Sequence, residues 1–139
     1  MYIKTLIFAI LFVSYIVTAS ASCDKDKLDA YYENPESIAT NKLGQRSLEE
    51  FSFVLECNSG EIYKTYTRYL KSNDYLVGKF VFTVTINPDG TISDVKTVTS
   101  TLSLVDFENE ILKSIGAMKL GKKNIEATTI TYPMEFSPN

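Results

Sequence analysis

Residues 78–100 read GKFVFTVTINPDGTISDVKTVTS, and this stretch decides the fold. Phe80, Phe82, Val84 and Ile86 alternate with the polar Thr83 and Thr85, the period-two pattern of a strand with one buried face. Asn87-Pro88-Asp89-Gly90 is a turn: proline pre-sets one dihedral and glycine supplies a positive φ. Thr91 to Thr99 returns as a second strand. Its apolar residues Ile92, Val95 and Val98 are three apart, so a bulge near Asp94 is needed to bring them to one face. The pair is a β-hairpin.

Downstream, Ser103 or Asp106 is placed to cap a helix that buries Phe107, Ile111, Leu112, Ile115 and Met118. Gly121 is the expected terminator, with Lys113, Lys119, Lys122 and Lys123 near the negative end of the helix dipole. A last strand runs from Ala127 to Phe136. Thr128, Ile130, Tyr132 and Met134 alternate with Thr129, Thr131 and Glu135, and Pro133 lacks the N–H that a central strand needs. This strand is therefore expected to lie at a sheet edge, or to end at Pro133.

Upstream, Ser47 with Glu50 forms a capping-box pattern. Leu48, Phe51, Val54 and Leu55, then Ile62, Tyr66, Tyr69 and Leu70, repeat at helical spacing. Asn58-Ser59-Gly60 interrupts them, giving either one bent helix or two helices broken at Gly60. Residues 22–46 read as a polar lead-in arm, solvated and partly mobile, although Leu28, Tyr31 and Tyr32 offer one short helical turn that would dock. Residues 1–21 read as an export signal: Lys4, an apolar run from Leu6 to Val17 broken only by Ser14, and Ala19-Ser20-Ala21 before the cut. The run is shorter than the roughly 20 residues of a bilayer span. An uncleaved anchor, or a lipoprotein built on Cys23, are the alternatives. Cleavage leaves no membrane span and a protein that is periplasmic or secreted. Cys23 and Cys57 would meet an oxidising compartment together, as a disulfide or as two separate thiols.

The 139 residues carry a net charge of −3, which argues against nucleic acid as a partner. Histidine is absent, which excludes Ser-His-Asp and Cys-His triads. The glycines are scattered rather than gathered in a phosphate loop, and the two cysteines lack metal-ligand spacing. The carboxylates at Asp24/Asp26/Asp29, Glu49/Glu50 and Asp106/Glu108/Glu110 read as solvated or helix-capping groups. No catalysis, cofactor or metal is expected.

The order of motifs from Tyr66 to Phe136 resembles a TonB C-terminal domain, in the variant found at the end of AgmX/PglI gliding-motility proteins. The residues that carry the resemblance are Tyr66 with Leu70-Lys71, Leu76-Val77-Gly78-Lys79, the strand Phe80 to Asn87, Pro88-Asp89-Gly90, Ile92 to Val98, Ser100-Thr101-Leu102, the helix Phe107 to Leu120, and Tyr132-Pro133-Met134-Glu135-Phe136. Two cysteines common in that family are replaced here by Thr65 and Glu110, and the second helix ends Met118-Lys119-Leu120-Gly121. The resemblance implies an α+β fold over residues 47–139, with a small antiparallel sheet of about three strands packed against two main helices. It implies an envelope protein as partner, bound by addition of an extended segment to a sheet edge. The candidate edge is Thr129, Ile130, Thr131 and Tyr132, with Pro133 stopping the pairing there; the alternatives are an internal strand, or an edge covered by residues 22–46 or by a second copy of the chain. A homodimer, or a small structural or self-associating subunit of a motility, transport or secretion assembly, is the alternative.

Overall fold

The computed structural model describes residues 25–33 and 45–138. The expected signal at 1–21, Cys23 and most of the lead-in lie outside them. The described elements are α1 (Lys25–Glu33), α2 (Leu48–Cys57), α3 (Ser59–Leu70), β1 (Gly78–Ile86), β2 (Ile92–Ser100), α4 (Val105–Gly116) and β3 (Thr128–Phe136). The strands form one antiparallel sheet in the order β2-β1-β3. The fold is α+β, as expected. No described helix is long and apolar enough to cross a membrane.

β1 takes the centre because its alternation is the most apolar: Phe80, Phe82, Val84 and Ile86 are all fully buried. The helices cover that face. The Phe51 ring of α2 meets Phe82 and Tyr132 with centroids at 6.4 and 5.4 Å. The Phe107 ring of α4 and Tyr66 of α3 pack on Phe136 at 5.0 and 5.1 Å. The opposite face carries Thr83, Thr85, Thr129 and Thr131, with Thr85 and Thr129 joined through their hydroxyls at 3.1 Å.

The Tyr66 phenol donates to Leu76 O at 2.9 Å inside the core. Burial pushes its pKa up to about 12. Burial also raises Tyr32 and Tyr132. A phenol that holds its proton more tightly folded than unfolded adds stability below its unfolded pKa, and loses it as pH rises through the folded value. The domain should therefore hold its stability to about pH 10 and lose it toward pH 12. Tyr66→Phe should flatten that alkaline decline and cost about 1 kcal/mol at neutral pH, read by urea unfolding across a pH series.

Several local expectations are corrected. The helical run breaks at Asn58, not at Gly60, which lies inside α3. Asn58 turns its amide back onto Val54 O at 2.7 Å, ending α2 and leading straight into α3. Ser47 caps α2 by accepting from Glu50 N at 3.1 Å, but Glu50 does not complete the capping box, because its carboxylate is engaged elsewhere. α4 starts after Leu104 with no side-chain cap, and Ser103 stands at φ 55° instead. α4 ends at Gly116, well before Gly121. β2 carries two irregularities: one opposite Thr83–Thr85, where Asp94 has φ 50°, and a second opposite Val81/Phe82. The second lifts Val98 out of the core, leaving it 53% exposed. Pro133 does not interrupt pairing with β1, which runs on to Gly78–Phe136.

Candidate functional site: the two edges of the sheet

A three-stranded sheet exposes two edges, and the two are built differently. β3 pairs with β1 over nine consecutive positions without a register shift. Its inward residues Thr128, Ile130, Tyr132, Met134 and Phe136 are all buried, while Thr129 and Thr131 are exposed on the outer face. Pro133 lies opposite Val81. The four residues Thr129, Ile130, Thr131 and Tyr132 therefore belong to a straight strand anchored through one face, with no further described strand beyond it. β2, by contrast, is bulged twice, contains Lys96 and has no fully buried residue. Bulges and lysine on an outer strand discourage the pairing of another chain. β3 keeps regular backbone where β2 is distorted, and the stretch it has to offer is Thr129 to Tyr132, because Pro133 beyond it has no N–H to give.

β3 is held in place from its starting end. Arg46 N donates to Thr128 Oγ1 at 3.1 Å. The Arg46 side chain is buried, and its Nη1 meets Glu50 Oε1 at 2.6 Å. Its Nη2 donates to Gly121 O at 2.7 Å and to Asn87 O and Pro88 O at 3.3 Å. Lys123 Nζ reaches Glu50 Oε2 at 2.8 Å, and the Tyr32 hydroxyl donates to Glu50 Oε1 at 3.1 Å. One carboxylate thus ties α1, α2, the chain after α4 and, through Arg46, the hairpin turn. The turn residues Asn87, Pro88, Asp89 and Gly90 are structural: Asn87 N bonds Thr91 O at 2.8 Å, and Asp89 Oδ1 accepts from Thr91 N at 2.9 Å. The Thr91 hydroxyl and amide hold the exposed Asp89 carboxyl below the ordinary range.

Local sequence rules miss this ionic node. They place Arg46 in a solvated arm and Lys123 at a helix end, yet both are buried. α1, which falls within that arm, lays Tyr31 flat on Phe53, with centroids 4.5 Å apart and planes 21° apart. Gly121 leaves the room that the Tyr32 ring fills, since a Cβ there would fall 2.5 Å from the ring. Leu48, expected in the core, is 47% exposed. The signal for that lies in its spacing: Leu48, Ser52 and Glu56 share one helical face with two polar members.

Burial raises the Tyr132 phenol, countered by a hydrogen bond with Ser52 and raised further by Glu56. Cys57, the last residue of α2, is disulfide-bonded, while Cys23 lies outside the described residues. No described group of His, Cys, Asp and Glu side chains is arranged to hold a metal. A cleft of about 310 Å³ lies between α3 and α4, lined by Asn58, Glu61, Lys113, Ser114, Ala117 and Met118.

No family model and no curated protein matches the chain. Among solved structures it is similar to two solution structures of the Helicobacter pylori TonB C-terminal domain. The longer is 20% identical, covers 84% of this chain and 95% of that one, and has a TM-score of 0.44. The shorter is 21% identical, covers 61% of this chain and 92% of that one, and has a TM-score of 0.43.

Proposed function

We propose that this chain is an exported, non-catalytic binding module of a bacterial envelope, which takes an extended segment of a protein partner as an additional strand beside Thr129, Ile130, Thr131 and Tyr132. The observation that carries the reading is the contrast between the edges: nine unshifted pairs behind β3 against two irregularities in β2. An edge strand offers N–H and C=O groups that a partner's backbone completes, and side-chain pockets then select the sequence. The ordered motifs from Tyr66 to Phe136, which resemble TonB C-terminal domains of the AgmX/PglI type, support the same reading. So does the signal-like pattern at residues 1–21.

In-cell photo-crosslinking tests it. A photo-reactive residue at Thr129 or at Thr131 should capture a discrete envelope protein, and one at Thr91, beside the hairpin turn, should not. Capture of this chain alone would mean self-association instead, and equal capture from Thr91 would remove the edge as the site.

The proposal extends to the cysteines: Cys23 pairs with Cys57 and staples the lead-in to the end of α2. A disulfide across that loop contributes about 2–4 kcal/mol. Cys23→Ser should lower stability by that amount, and non-reducing peptide mapping should show the linked pair in the wild type. Two free thiols on mapping would refute the staple.

A further inference from the structure

The slot beside β3 has a second wall. α2 runs alongside β3 from the same end. Arg46, two residues before α2, bonds Thr128 where β3 begins. Ser52, in the middle of α2, is hydrogen-bonded with the Tyr132 phenol, and Glu56 lies within electrostatic reach of the same phenol. Phe51 packs on the same Tyr132 ring and on Phe82 of the central strand, which together make the core side of α2. Successive helical residues are rotated by about 100°, and residues four apart lie one above the other. Leu48, Ser52 and Glu56 therefore form one ridge beside the core stripe of α2, with Ser52 and Glu56 near the Tyr132 phenol and Leu48 exposed.

That ridge is incomplete at both ends. Leu48 leaves 47% of its surface exposed. Glu56 is half-buried, and burial alone raises its carboxyl above the ordinary range. It has neither an ion pair nor a hydrogen bond among the described residues. A desolvated carboxylate without a counter-ion is a site where an arriving cation is favoured and an arriving anion is repelled.

We propose that the partner segment, added antiparallel to β3 as the other strands are to each other, places a lysine or arginine over Glu56 and, four residues later, an apolar side chain over Leu48. This rests on the strand-addition reading above. The spacing follows from the two geometries. Leu48 to Glu56 spans about 12 Å at the helical rise. Side chains four apart on a strand span about 13–14 Å and share a face. An antiparallel segment passes the Glu56 end first, which fixes the order as cation before apolar residue.

The test uses the full chain and synthetic peptides of about β3's own length, nine residues, with threonine at outward positions. The reference peptide carries lysine and, four residues on, leucine at inward positions. One comparison peptide has glutamate for the lysine, one reverses the order, and one repeats the reference with alternate backbone amides N-methylated. By calorimetric titration the reference should bind about three- to tenfold tighter than the glutamate and reversed peptides. Glu56→Lys should invert the lysine–glutamate preference with an unchanged thermal midpoint. No binding of the reference peptide, equal affinity for the lysine and glutamate peptides, or no inversion in Glu56→Lys would overturn the pairing. The N-methylated peptide separates the two readings. Loss of its binding alongside equal lysine and glutamate affinities leaves strand addition standing and removes the ridge as a selector. Retention of its binding removes strand addition itself.

Discussion

Glu50→Ala should lower the unfolding free energy by about 3–5 kcal/mol, among the largest losses available to a single substitution in this chain. Glu50 is fully buried and receives Arg46 at 2.6 Å, Lys123 at 2.8 Å and Tyr32 at 3.1 Å. Both cations are themselves almost wholly buried. Removing the carboxylate leaves two positive charges facing each other without water, and the cost of that exceeds the loss of any one hydrogen bond. Backbone carbonyls of Asn87, Pro88 and Gly121 soften the loss for Arg46. Glu50→Gln should do nearly as badly, because an amide accepts hydrogen bonds but does not balance charge. The decisive control replaces the node as a unit: Arg46→Met, Glu50→Leu and Lys123→Met together should be far less harmful than Glu50→Ala alone. Urea unfolding at constant m-value reads all of these. A loss below about 1 kcal/mol for Glu50→Ala would mean that water reaches the site and the node is not buried in solution.

The hairpin and the β3 alternation are legible in the sequence because their signals are local. Alternate residues of a strand share a face, and Pro88-Asp89-Gly90 prescribes its own dihedrals. The three-apart spacing of Ile92, Val95 and Val98 announces a bulge, but not the second irregularity that releases Val98 to solvent. The ionic node is not legible, because each of its contacts is decided by where distant segments meet. Thr128 lies 82 positions from Arg46, and Lys123 lies 73 from Glu50. Local rules assign Arg46 and Lys123 to solvent, where charged side chains ordinarily belong, and Glu50 to its own helix start. Leu48 departs from expectation for a related reason. A helical stripe fixes which residues share a face, but only packing decides how much of that face is covered. The half-open side of α2 is where the chain departs from its own pattern, and it borders the edge proposed for the partner.

Gly90→Ala should cost about 3 kcal/mol or more, from two independent causes at one atom. Gly90 stands at φ 87°, a conformation that side chains rarely adopt. It also leaves no room for a side chain, since a Cβ there would lie 1.9 Å from Leu120 O and 2.7 Å from Leu120 C. Both are backbone atoms, held because Leu120 N donates to Gly90 O at 2.9 Å and Lys123 N donates to Pro88 O at 2.9 Å. Relief therefore requires moving the whole segment after α4 away from the hairpin turn. Gly90→Asn separates the causes. Asparagine tolerates a positive φ, so a purely conformational cost would leave it close to wild type, whereas the clash makes it as harmful as alanine. Gly60→Ala is the opposing control. That glycine lies in α3 with nothing within 4 Å of the point where a methyl group would stand, so the exchange should stabilise by about 0.5–1 kcal/mol. Thermal and urea unfolding of the three variants reads the order directly. Because the segment beyond Leu120 leads into β3 and carries Lys123 to Glu50, displacing it should also weaken partner capture from Thr129, at the start of the strand, before capture from Thr131. Equal loss at both positions would mean that the strand moves as one rigid unit with the turn.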